Sequence, residues 1–424
     1  MRIMRPGSRG PAVELLQLAL NRTGAALEID GIFGGSTETE LRRFQSARRL
    51  IADGVAGRET HRALLPYYTG YTVYRISRGD TLFFIASRFG SSVEAIELAN
   101  PGLIPTRLEP GSSIVIPLGF DVVPTTISWS SALVGYCVRG LAVRYPFLSV
   151  GEIGKSVMGR PLWRMSLGSG ERRVLYNASH HANEWICTPL LMKFTEELAK
   201  AFAAGGQIYG YAAAEIMESA LINIVPALNP DGIDLVTGEL QSGEFYRQAQ
   251  RIAADYPQFP FPAGWKANIR GTDLNLQYPA GWEQAKANKY AQGIVSPAPG
   301  DYVGPYPLSA PESRAIYDYT LSLGPELILA YHTQGEVIYW KYENLEPPGA
   351  KEIGEILSAA SGYTLEDTPY ASAFAGYKDW FIDSFFRPGY TIEAGQGINP
   401  LPLSQFDEIY KDNLGILVLA ALSE

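Results

Sequence analysis

At roughly 150 residues per domain, a chain of 424 residues has room for about three. Hydrophobic residues make up 46% of it and charged residues 19%, which excludes disorder as a description of the whole. The balance of 35 basic against 44 acidic residues, net −9, excludes a charge-driven grip on nucleic acid or an anionic membrane. The longest apolar run, Leu414 to Leu422, is too short for membrane insertion. Met1 to Gly7 carries no export-signal pattern, so the expected location is cytoplasmic, or spore- and wall-associated by another route. Cys137 and Cys187 show no spacing of a disulfide framework or thiolate metal site and read as small core residues. The four histidines, His61, His180, His181 and His332, are informative because they are few.

The first segment contains a repeat. Asp30-Gly31-Ile32-Phe33-Gly34 returns as Asp53-Gly54-Val55-Ala56-Gly57, each followed by a threonine, Thr37 or Thr60, three residues past the last glycine. Asp-Gly makes a tight turn, and helical patterns precede and follow it: Val13, Leu16 and Leu20, then Leu41, Phe44 and Ala47. The reading is a three-helix unit ending near Pro66, either a packing repeat or a ligand-binding one. Together these features resemble the peptidoglycan-binding domain of the three-helix type.

From Tyr71 the pattern changes. Tyr71 to Tyr74 reads as a strand, and Gly79-Asp80-Thr81 starts a helix with Asp80 or Thr81 as cap. Leu82, Ile85, Ala86 and Phe89 form one apolar stripe, Val93, Ile96 and Ala99 a second, and Ile114 to Pro117 closes as a strand. Strand, helix, helix, strand, with Gly-Asp-Thr-Leu and Ala99-Asn100-Pro101, resembles a LysM domain, whose ligand is the N-acetylglucosamine of peptidoglycan or chitin. Two wall-binding modules in tandem imply peptidoglycan as partner, since linked weak modules gain avidity. The expected domains are 1–68, 69–119 and 120–424.

The remainder reads as one large α/β domain, with a mixed central sheet flanked by helices. Arg173 to Ala178, Leu221 to Pro226, Leu327 to His332 and Tyr390 to Ala394 are apolar runs of the kind buried on both faces. Thr188-Pro189 reads as a cap followed by proline at the first helical position. Polar residues at the strand ends are where such sheets bind ligands. His181 and Glu184, three apart on a bend, can share one divalent ion. His332 ends another strand, either as a ligand or as a hydrogen-bonded core residue. Glu393 is an acid within an apolar strand, which needs either a salt bridge or a task. Two histidines and one glutamate make a catalytic zinc set, with a further glutamate available as base.

With Asn229-Pro230-Asp231-Gly232, Arg270, Asp273-x-Asn275, Tyr370 and Asp379-Trp380 in the same order, residues from about Ile127 onward resemble the zinc carboxypeptidase family. The resemblance implies one zinc ion held by His181, Glu184 and His332, with Asp273 orienting His181. It implies Glu393 as general base, Arg270 as stabiliser of the oxyanion, and Asn275 and Tyr370 as substrate-binding residues. His180 is expected to be a structural neighbour, His61 a solvated helix residue and Asn229 to Gly232 a turn.

One departure stands out. The family has Asn-Arg where this chain has Asn275-Leu276, and leucine offers no donor to a substrate's terminal carboxylate. Lys378 stands at the position that sets pocket specificity in the family, either as a substitute cation or as a surface lysine. Wall modules, zinc peptidase and lost clamp together resemble the bacterial γ-D-glutamyl-L-diamino acid endopeptidases, which cut between D-glutamate and meso-diaminopimelate or lysine. A carboxypeptidase trimming wall or protein peptides, or a wall-anchored binding protein without catalysis, are the alternatives.

Overall fold

The computed structural model describes residues 2–423, the side chain of Ala371 excepted. It divides into two compact units. The first runs to Ser128 and takes in Ala132–Ser149; the second holds Trp129–Ser131 and the chain from Val150 onward.

In the first unit, helices Pro11–Asn21, Gly35–Ala47 and Arg58–Thr69 form the repeat segment. A buried glutamine closes each turn of the repeat. Gln17 donates to Asp30 Oδ1 at 2.7 Å and Thr37 Oγ1 at 3.2 Å, and accepts from the Gly31 amide at 3.0 Å. Gln45 does the same with Asp53 at 3.0 Å, Thr60 at 3.1 Å and Gly54 at 3.0 Å. The repeated residues are therefore tied to the preceding helix. Gly31 and Gly54, at φ 66 and 70, supply the left-handed turn. Two expectations are corrected here. The third helix continues through Pro66 to Thr69, and His61 is buried rather than solvated, bonded to Tyr68 Oη and to the Arg2 carbonyl, both at 3.0 Å.

Strands β1 (Tyr71–Arg75) and β2 (Ser113–Pro117) pair antiparallel around helices Leu82–Phe89 and Val93–Ala99. Thr81 is the cap, accepting from the Phe84 amide at 3.3 Å. Asp80 instead accepts from Tyr74 Oη and the Ser77 amide. Asn100 bonds both backbone groups of Val115, so the Ala-Asn-Pro motif pins β2.

The second unit is built on an eight-stranded mixed sheet. Its strands are β3 (Ser149–Lys155), β4 (Pro161–Leu167), β5 (Arg172–Ala178), β8 (Ala220–Val225), β9 (Leu327–His332), β10 (Val337–Tyr339), β11 (Thr364–Glu366) and β12 (Gly389–Glu393). A separate short hairpin contributes β6 (Gln207–Ile208) and β7 (Tyr211–Ala212). The sheet order is β11-β10-β12-β9-β5-β8-β4-β3. The four apolar runs form its centre, β12, β9, β5 and β8, and run parallel. Alternation along β5 shows why both faces are apolar. Leu175 joins a core with Trp380 and Phe381, whereas Tyr176 faces Phe194 and bonds the Leu417 carbonyl from the other side. The helix after the first candidate loop begins at Cys187, so Thr188 lies inside it and is no cap; its hydroxyl bonds Ser179 Oγ at 2.9 Å. Both cysteines are buried and unbridged. No described helix is long and apolar enough to cross a membrane.

Candidate metal centre

Three of the parallel strands deliver the site at their carboxyl ends. His180 and His181 follow β5, His332 closes β9, and Glu393 closes β12 in direct register with His332. A single 3-10 turn, Ala182–Glu184, then folds Glu184 back beside His181. Asn229 caps helix Pro230–Val236 through the Gly232 amide, and its side-chain amide donates to the carbonyls of His180 and Ala267. What the sequence suggested as a turn is a helix start that clips the ligand loop to the segment 266–273.

His181 Nδ1 lies 2.9 Å from Glu184 Oε1, and His332 Nδ1 lies 2.9 Å from Glu184 Oε2. The two Nδ1 atoms are 3.2 Å apart. Ligand atoms about 2.1 Å from a tetrahedral zinc are about 3.4 Å from one another, so these donors fit the edges of such a site. His181 Nε2 faces Asp273 Oδ1 at 3.2 Å, which leaves Nδ1 for the metal. Asp273 is held in turn by the amides of Asn275 and Asp301, each at 3.0 Å.

Electrostatics agree with a cation site. Burial disfavours a charge on His181, yet Glu184 and Asp273 prevail and push it up to about 9. Burial lowers His332 against the pull of Glu184, so of the two imidazoles His181 holds a proton the more firmly. Burial and Glu184 push Glu393 up to about 8, against His181 and Lys266. Because zinc binds neutral imidazole, it must displace the His181 proton below about pH 9. Zinc affinity is therefore expected to rise from pH 6 to 9, by up to about tenfold per unit. Competition against a chromophoric chelator measures this, and a flat profile would contradict it.

A cavity of about 180 Å³ opens over these groups. Asp273, Asn275, Lys378 and Glu393 line it, as expected of site residues, and so does Leu276. Lys378 is no surface residue: it is 3% exposed. Two expected residues are elsewhere. Tyr370 is 68% exposed, resting edge-on against Phe374, and is not among the lining residues. Arg270 is exposed at the crown of a turn whose Asn268 Oδ1 accepts from the amides of Arg270 and Thr272. The cation that reaches the cavity from this segment is Lys266, which no motif in the sequence marks. The Lys266 carbonyl accepts from the Ala182 amide at 2.9 Å, beside the ligand loop. No hydrogen bond or ion pair ties its ammonium among the described residues. Burial opposes its charge, but Glu184, Asp273, Asp301 and Glu393 raise its pKa, so it stays protonated.

The sequence pattern of zinc carboxypeptidases matches residues 137–415, well over half of the chain. The chain belongs to the zinc carboxypeptidase family. Peptidoglycan-binding and LysM domain patterns match residues 9–64 and 74–117. This metallopeptidase is 43% identical over 281 residues to gamma-D-glutamyl-L-diamino acid endopeptidase 1 of Lysinibacillus sphaericus, covering 66% of this chain and 69% of that one. It is 40% identical over 276 residues to the uncharacterised protein YqgT of Bacillus subtilis, covering 64% and 72%. Bovine thrombin-activatable fibrinolysis inhibitor shares the fold, with TM-score 0.54 and 18% identity over 70% of this chain and 97% of that one.

Proposed function

We propose that this zinc carboxypeptidase homologue is a peptidoglycan hydrolase that cuts the γ-D-glutamyl bond to diaminopimelate or lysine in wall stem peptides. The observation that carries it is the convergence of His181, Glu184 and His332 with Glu393 in register beside them. The similarity to a γ-D-glutamyl endopeptidase and the two N-terminal modules support the bond and the partner, and with them a place at the cell wall.

His181 Nδ1, Glu184 and His332 Nδ1 would hold one zinc ion. When bound, zinc polarises the scissile carbonyl and eases ionisation of the attacking water. Glu393, which burial and Glu184 push up to about 8, would take its carboxylate form beside such a cation. Glu393 then takes a proton from the water and passes it to the leaving amine. Lys266, rather than Arg270, faces the charge that develops on the carbonyl oxygen, from a cavity wall where the surrounding carboxylates keep its ammonium charged before the reaction begins. Asp273 keeps His181 in one tautomer throughout.

Leu276 favours the endopeptidase reading over the carboxypeptidase one, because a hydrocarbon at that place cannot clamp a terminal carboxylate. Amidating the C-terminus of a stem peptide is expected to change its cleavage rate by less than about fivefold, whereas loss of an essential ionic clamp costs about a hundredfold. Abolished cleavage of the amide would favour the carboxypeptidase.

A further inference from the structure

An endopeptidase without the family's arginine still has to hold the residue on the leaving side. Lys378 is poorly placed to do so. Its ammonium donates to the Lys341 carbonyl at 2.6 Å and Thr368 Oγ1 at 2.9 Å, and lies 2.7 Å from Asp379 Oδ1. Three protein oxygens surround a group that has three donors. Its charge is balanced by Asp379, equally buried, so Lys378 buttresses the wall of the cavity.

Lys289 is different. It comes from another element, helix Trp282–Ala291, yet lines the same cavity as Leu276, His181 and His332. Among the described residues its ammonium has one protein partner, Asp301 Oδ1 at 2.6 Å, with side-chain exposures of 15% and 31%. Among the described residues two of its donors and Asp301 Oδ2 have no protein partner, and both residues line the cavity. Asp301 also holds a left-handed backbone, φ 66, which side chains adopt at a cost of about 1 kcal/mol or more. That conformation accompanies the bond from its amide to Asp273 and so ties the pair to the segment that steadies His181. A partly exposed lysine–aspartate pair with open valences on both members is complementary to a second pair of opposite charges.

We infer that Lys289 and Asp301 bind the far end of the leaving residue and read it as a zwitterion, its carboxylate on Lys289 and its ammonium on Asp301. The inference rests on the endopeptidase reading and narrows it: a 2,6-diaminodicarboxylic residue offers both groups, whereas lysine offers only an ammonium, which Lys289 repels. The site prefers diaminopimelate stems.

The test compares kcat/KM for L-Ala-γ-D-Glu-meso-diaminopimelate and L-Ala-γ-D-Glu-L-Lys in the zinc-loaded full chain and in Lys289→Met, with zinc content measured on both. The wild type is expected to prefer the diaminopimelate stem at least tenfold, and the variant threefold or less, chiefly through KM and at unchanged zinc content. An undiminished preference in Lys289→Met overturns the inference and leaves the endopeptidase reading standing. Calorimetry of the dipeptides γ-D-Glu-meso-diaminopimelate and γ-D-Glu-L-Lys on zinc-loaded Glu393→Gln decides the case should Lys289→Met fail to fold or lose zinc. Binding at least tenfold tighter for the diaminopimelate dipeptide supports the inference, and equal binding overturns it. A wild type that cleaves neither stem refutes the endopeptidase reading instead, and the same calorimetry still judges Lys289 and Asp301.

Discussion

Glu393→Gln is expected to lower kcat by about 10³-fold while zinc content stays at the wild-type level. Glutamine keeps the shape of the side chain and its place at the end of β12, opposite His332. It cannot accept a proton, and that is the one property the proposed chemistry asks of this position. Glu393 is not among the converging ligand atoms, so the metal should not notice the change. Burial and the nearby Glu184 already favour a neutral side chain here, so an uncharged amide is tolerated by the fold. Single-turnover rates with parallel metal analysis check this. Near-normal turnover would place the base elsewhere; loss of zinc would make Glu393 a ligand.

Lys266→Ala is expected to lower kcat by about 10²- to 10³-fold with little change in KM, the range found when a preorganised donor to an oxyanion is removed. Arg270→Ala should stay within about twofold of wild type, because an exposed side chain outside the cavity contributes little to the transition state. Lysine is a compact point charge, so Lys266→Arg should restore only part of the rate: the larger, planar guanidinium must fit the same wall. The opposite result, a silent Lys266→Ala and a crippled Arg270→Ala, would mean that the turn at Asn268 reopens on binding substrate and swings Arg270 inward.

The contrast between these two cations shows how far the sequence could be read. Both lie within eight residues ahead of Asp273, and each has the right charge. Which one faces inward is decided by Asn268, whose side chain accepts two amides and closes the turn so that Arg270 points outward. That is a tertiary choice with no periodic signature. His181, Glu184, His332 and Glu393 were legible for the opposite reason: each sits at or just past the end of a strand buried on both faces, and a continuous apolar run marks such strands plainly. Strands β10 and β11, three residues each, and β3, with no apolar run, gave no comparable signal. The repeat around Asp30 and Asp53 was visible, but its purpose was not, since the glutamines that close it lie on the preceding helices. Lys289 was invisible as a site residue because Asp301, the partner that pins it, lies twelve positions on across a loop.

The proposed point of cleavage is one bond, the γ-D-glutamyl amide to the diamino acid. Purified muropeptides of known stem composition, digested with the zinc-loaded full chain and analysed by mass spectrometry, identify that bond directly. Chelator-sensitive release of a stem fragment beginning at diaminopimelate, leaving L-Ala-D-Glu on the glycan, is the predicted outcome. Release of only the last residue of each stem, or cleavage unaffected by chelator, would contradict it.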